Sequence, residues 1–111
     1  MGNDPVVSRD EDLRTWRSQY EDATPIADLV ARQKQTCVGV VHRIRIVPGH
    51  QLEITIEDGT GEITAIFSGR SNLPGLELGA AIRLTGTIAS AGRPGLEVRN
   101  PGWDYVQEPY R

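Results

Sequence analysis

Cysteine occurs once in these 111 residues, at Cys37, so no disulfide can close within the chain. No CxxC pair or Cys/His cluster stands at zinc-ligand spacing, and neither a metal site nor a cofactor motif is legible. This cysteine usage fits a reducing compartment, the cytoplasm. Apolar runs are equally scarce. None approaches the ~18 residues that a membrane-spanning helix needs. The opening stretch carries Asp4, Asp10, Glu11 and Asp12 where a secretory signal would be apolar. Met1-Gly2 begins like a myristoylation signal, but Val6 stands where Ser or Thr is required, so no membrane attachment is expected. The phosphate loop GxxxxGKS/T and the zinc motif HExxH are absent, and no Ser, His and Asp fall on a catalytic motif. No catalytic residue is assigned and the chain does not read as an enzyme. Two Trp, three Tyr and one Phe leave few rings on which nucleic-acid bases could stack.

Positive charge is not in excess either. Twelve basic and 15 acidic residues leave a formal charge of −3, which excludes coating duplex DNA through bulk positive charge. The imbalance is local: residues 1–22 hold six acids and three arginines, whereas residues 23–111 hold nine acids and nine bases. The chain therefore divides into an acidic N-terminal segment, 1–22, and a neutral domain, 23–111. In the first, Ser8 and Glu11 read as a capping box, and Leu13, Trp16 and Tyr20 fall at helical spacing, predicting an amphipathic helix over 9–20. Its aromatics either pack on the domain or dock a partner protein, disorder of the segment being the third alternative. Thr24 as a cap, Pro25 at the first helical position and the stripe Ile26, Leu29 and Val30 predict a second helix over 25–34.

From Thr36 the hydrophobic period changes to two. Strands are expected over 36–47, 52–57, 62–68, 81–89 and 96–100, with Val38, Val40, Ile44 and Ile46 inward on the first and Gly39 at its bend. Pro48-Gly49 and Asp58-Gly59-Thr60-Gly61 are turns, residues 73–80 hold too much Gly and Pro for a stable helix, and Trp103 to Tyr105 form a tail. The fold class is all-β: a five-stranded OB-fold barrel with one or two short N-terminal helices, an SH3-like barrel being the competitor.

The segments LEITIEDGTGEITAIF (Leu52 to Phe67), GLELGAAIRLTGTI and LEVRNPGWDYV resemble the OB-fold in the wedge domain of RecG-type branched-DNA helicases. With the preceding TPIADL, the chain is similar over residues 24–106 to small stand-alone OB-fold proteins of actinobacteria that are described as nucleic-acid-binding. The matched residues shape turns and close the barrel, so what the resemblance implies is mainly a fold. It also implies single-stranded or branched DNA, or RNA, as partner, without the helicase motor.

OB-folds bind on the face of strands two and three, between the loops joining strands one to two and four to five. Strand parity puts Arg43, Arg45, Glu53, Thr55, Glu57, Thr64, Ile66, Ser68 and Arg70 there, with His50, Gln51 and Arg93 in the loops and Arg99 at an edge. The candidate nucleic-acid-binding residues are Arg43, Arg45, His50, Arg70, Arg93 and Arg99, an arginine group able to grip several phosphates. Arginines scattered for solubility are the bland alternative. A protein-interaction module, using the barrel or the acidic segment, is the other functional reading, and self-association along an open edge a third. His42 falls inward by parity and reads as a buried barrel histidine, whereas His50 has no visible partner for chemistry.

Overall fold

The computed structural model describes residues 5–90 and 95–109, with side chains from Ser8. Six strands follow one helix: α1 (Pro5–Arg17), then β1 (Lys34–Val47), β2 (Gln51–Glu57), β3 (Glu62–Ser68), β4 (Ala81–Ala89), β5 (Leu96–Arg99) and β6 (Gly102–Val106). β1 pairs with β2, β2 with β3, β3 with β5, β5 with β4, and β4 with β1, closing a ring of five strands. Only β3 and β5 run parallel. This is the expected OB barrel, and its interior is filled by the period-two residues: Leu52, Ile54 and Ile56 of β2, Ile63, Ala65 and Phe67 of β3, and Ile82, Leu84 and Ile88 of β4.

β1 closes the ring because it serves two neighbours. Lys34 to Val40 pair with β4, Val40 to Val47 pair with β2, and Val40 itself stands opposite both Ala81 and Glu57. Gly39 lies at this corner, where a Cβ would sit 2.9 Å from the Glu57 carbonyl oxygen. Immediately beyond, the register skips His42: Val41 faces Ile56 and Arg43 faces Thr55. The extra residue is a β-bulge, and it inverts the parity expected for the first half of the strand. Cys37 and Val41 point into the barrel, while Val38 and Val40, expected inward, lie outside under α1. His42 is corrected too. Its side chain is 30% exposed, with Nε2 2.9 Å from Glu62 Oε2 on the outer surface.

α1 starts and ends earlier than the expected 9–20. Pro5 occupies its first position, where a missing N–H is harmless, so Ser8 lies inside the helix rather than capping it. Leu13 and Trp16 are buried against Val38, Val40 and Ala81, and the Trp16 indole N–H donates to the Gln107 carbonyl at 2.9 Å. Both faces of early β1 are therefore apolar, one for the barrel and one for the helix.

The helix expected over 25–34 is not formed; a single 3₁₀ turn, Ile26–Asp28, stands in its place. The N–H groups of this turn and of Arg32 find tertiary partners. Ile26 N–H donates to Asp58 Oδ2 at 2.9 Å, Ala27 N–H to Thr60 Oγ1 at 3.1 Å, and Arg32 N–H to the Ile88 carbonyl at 2.8 Å. The tail expected at Trp103 to Tyr105 is β6, which extends along β4 from Thr85 to Ala81. Asn100, at φ 46°, and buried Pro101 bend the chain from β5 into β6. The bend packs over Gly86, where a Cβ would meet Val98 Cγ2 at 2.7 Å. No helix among the described residues is long and apolar enough to cross a membrane.

Candidate nucleic-acid interface

Strand register assembles the outer face of β1, β2, β3 and β5 into two cross-strand rows. One runs Arg43, Thr55, Thr64, Glu97 and the next Arg45, Glu53, Ile66, Arg99. Neighbouring strands are about 4.8 Å apart, and residues two apart on a strand rise about 7 Å, so Arg43 and Arg45 present adjacent cations along one edge. Arg99 supplies a third cation at the opposite edge, 59% exposed, with its guanidinium 3.7 Å from Glu97 Oε1. Arg43, Arg45, Glu53, Thr55 and Thr64 line a concavity of about 240 Å³.

The floor of this concavity is a hydrogen-bonded polar layer. The Thr55 and Thr64 hydroxyls are 3.0 Å apart, and Gln51 Nε2 donates to Glu53 Oε2 at 2.9 Å. Glu53, Thr55 and Glu97 are buried, and Ile66, although on the outer side, is fully buried as well. The arginines reach solvent while the acids stay beneath them, so the exposed rim is more positive than the residue list suggested. Glu57, assigned by parity to the same face, belongs to the next row with Val40 and Glu62, and forms an ion pair with Arg9.

Two further candidates, His50 and Arg70, lie at one end of the barrel. His50 is exposed in the β1–β2 turn at φ 70°, and its carbonyl accepts from Gly69 N–H at 2.6 Å. Arg70 follows Gly69 and is exposed. The Asn100 side chain ties this end to β5 by accepting from Ser68 N–H at 2.9 Å. Register thus brings Arg43, Arg45 and Arg99 onto one face, with His50 and Arg70 beyond the ends of β2 and β3. Arg93 lies outside the described residues. No aromatic stands on the two rows. Phe67 points into the core, Trp103 and Tyr105 pack edge to face at 5.4 Å on β6, and Trp16 and Tyr20 do so at 5.5 Å beside α1.

At the other end, sequence reasoning took Asp58 for a turn residue and missed its larger role. Its fully buried carboxylate accepts from Ile26 N–H, Thr60 N–H, the Thr60 hydroxyl and Gly61 N–H, and Arg17 Nε lies 3.8 Å away. The β2–β3 turn, the 3₁₀ turn and α1 meet on this one side chain. Burial, and secondarily the charge of Asp58, pushes the Cys37 thiol up to about 12, which leaves it an inert core residue.

No curated protein matches the chain by sequence. Among solved structures, the p204 HINb domain aligns with 83% of this chain and 51% of its own at 17% identity and a TM-score of 0.64. A replication protein A heterotrimer bound to single-stranded DNA aligns with 68% and 58% at 21% identity and a TM-score of 0.55. An OB domain from Methanosarcina mazei aligns with 78% and 84% at 17% identity and a TM-score of 0.61. The chain spans about half the length of the first of these, 51%. At such identities the likeness is one of fold. Residues 35–104, well over half of the chain and the whole of the barrel from early β1 to β6, match the tRNA_anti-codon family model, an OB-fold nucleic acid binding domain, and the chain belongs to that family.

Proposed function

We propose that this protein is a binding module rather than a catalyst, and that it holds single-stranded or branched nucleic acid on the outer face of β1, β2, β3 and β5. The observation that carries this reading is the pair of cross-strand rows, which bring Arg43, Arg45 and Arg99 onto one face, the first two at the edge of its concavity. Guanidinium groups at its edges suit phosphate oxygens, while the threonine floor has hydroxyls to offer sugars and bases. His50 and Arg70, beyond the ends of β2 and β3, extend the path past the face, and Arg93 is kept as a candidate from the sequence alone. Without an aromatic on the rows, affinity comes from phosphate contacts, so binding is weak, salt-sensitive and without strong base preference. The resemblance to the RecG wedge favours branched DNA among such ligands, and a free, buried Cys37 suits a cytoplasmic setting.

A protein-interaction role is the second reading, favoured by the absence of any aromatic ring from the two rows. Titration of fluorescein-labelled single-stranded and forked oligonucleotides at two salt concentrations separates them. Saturable binding at low salt is expected, with a combined Arg43→Glu, Arg45→Glu variant weakened at least ~10-fold and its salt slope reduced by about 2. No saturable binding at low salt, or binding untouched by the reversal, would overturn the nucleic-acid reading and leave the protein-interaction one.

A further inference from the structure

The bulge in β1 turns His42 onto the outer surface, beside two carboxylates that the β2–β3 hairpin holds directly opposite each other. Glu57 and Glu62 are cross-strand partners, so both side chains emerge on one side of the sheet. His42 Nε2 lies 2.9 Å from Glu62 Oε2 and 3.8 Å from Glu57 Oε2, and the three donor atoms all lie within 4.8 Å of one another. Two ligand atoms each ~2.1 Å from a tetrahedral zinc ion are about 3.4 Å apart. The two His–Glu separations fall on either side of that value, so small side-chain rotations bring all three atoms to coordinating distance of one ion.

A second feature points the same way. Glu57 uses its two oxygens differently, Oε1 for the ion pair with Arg9 of α1 and Oε2 toward His42. A cation partner on the far oxygen orients a carboxylate as the outer partners of metal ligands do, and leaves the near oxygen available. Beside the cluster opens a groove of about 260 Å³ lined by Asp10, Glu57, Gly59, Thr60, Gly61 and Glu62, with room for water in a fourth coordination position. Bulges of this kind re-aim side chains next to functional sites.

We propose that His42, Glu57 and Glu62 form a binding site for one divalent transition-metal ion, zinc by its donor set. The ion takes the place of the hydrogen bond between His42 Nε2 and Glu62 Oε2, so the coordinating imidazole carries its proton on Nδ1. It joins β1 to the β2–β3 hairpin, and through Glu57 and Arg9 to α1. The site stands on residues other than the arginine rows, so its test is independent of the nucleic-acid reading.

The experiment is calorimetric titration of zinc chloride into the full chain after chelator treatment, in a buffer that does not bind zinc, with folding of every variant checked by circular dichroism. One ion per chain is expected. His42→Ala and Glu62→Gln should each weaken binding at least ~100-fold, and Arg9→Gln about 10-fold, the scale seen for outer-shell partners. Cys37→Ser and His50→Ala should bind as wild type. In wild type the His42 ring nitrogens, followed by NMR, should shift at stoichiometric zinc. No stoichiometric uptake, uptake that survives His42→Ala, or uptake lost equally with His50→Ala overturns the proposal.

Discussion

Removing the Asp58 carboxylate should destabilise the protein more than most single changes. The side chain is fully buried and accepts four hydrogen bonds, from Ile26 N–H at 2.9 Å, Thr60 N–H at 2.9 Å, the Thr60 hydroxyl at 2.6 Å and Gly61 N–H at 3.2 Å. Bonds to an ionised acceptor contribute about 1.5–3 kcal/mol each, but they do not add. The Thr60 and Gly61 groups are only partly buried and regain water when the carboxylate goes. Ile26 N–H is buried and does not, so its orphaned donor alone costs about 1–3 kcal/mol. Arg17 Nε, 3.8 Å from Oδ2, loses its counter-charge at the same time. Together these give about 3–5 kcal/mol for Asp58→Ala, a large share of the 5–15 kcal/mol by which a domain is typically stable. Asp58→Asn keeps one oxygen as acceptor but turns an amide N–H₂ toward one set of donors, which should cost about half as much. Equilibrium urea unfolding followed by fluorescence of Trp16 and Trp103 reads both. A loss below about 1 kcal/mol for the alanine variant, or equal losses for the two, would refute the view that acceptor count at this carboxylate holds the barrel end together.

Two further outcomes follow from burial. Leu13 is fully buried between α1 and the outer side of β1 and β4, so Leu13→Ala should cost about 2–5 kcal/mol by urea unfolding, whereas a helix merely resting on the barrel would lose less than 1. The Cys37 thiol, pushed from 9.0 to about 12 by burial first and Asp58 second, keeps its proton in the fold after the unfolded chain has lost it. Stability is therefore unaffected below about pH 9 and falls by up to ~1.4 kcal/mol per pH unit from there toward pH 12. Cys37→Ala should remove that part of the alkaline slope in urea midpoints measured from pH 8 to 11, and identical slopes would refute it.

Strands β2, β3 and β4 were legible because apolar residues alternate with polar or small ones along them, with Ile66 the exception, although the outer face of β2 is itself buried. Early β1 was not. Its run Val38 to Val41 is apolar on both sides, since α1 covers what would otherwise be the solvent face, and alternation cannot then say which side is in. The bulge at His42 shifts the count by one, so that Arg43 and Arg45 were read correctly while Val38, Val40 and His42 were not. The segment over 25–34 has good helix signals in Thr24, Pro25 and its apolar stripe. They give one turn, whose N–H groups are held by Asp58 and Thr60 more than thirty residues away, and beyond it they were overruled by the pairing of residues 32 and 33 with the end of β4. β6 was hidden because Pro101-Gly102 looks like a terminator, although it is a bend within a continuing edge.

By itself, then, the sequence determined a set of short half-buried strands, and five of them in about 70 residues, the first long and bent at Gly39, suit a small closed barrel better than a sandwich. It also determined which arginines lie on the outer side of the β1–β2 half of the face. Tertiary structure decided everything that depends on which strands become neighbours. Arg99 joins Arg43 and Arg45 only because β5 lies parallel beside β3, and Glu53 and Glu97 sink beneath them only because four strands share one face. His42 meets Glu57 and Glu62 through a one-residue insertion in a ladder, an event with no local signature. Periodicity is a property of a segment, whereas a site belongs to the register between segments.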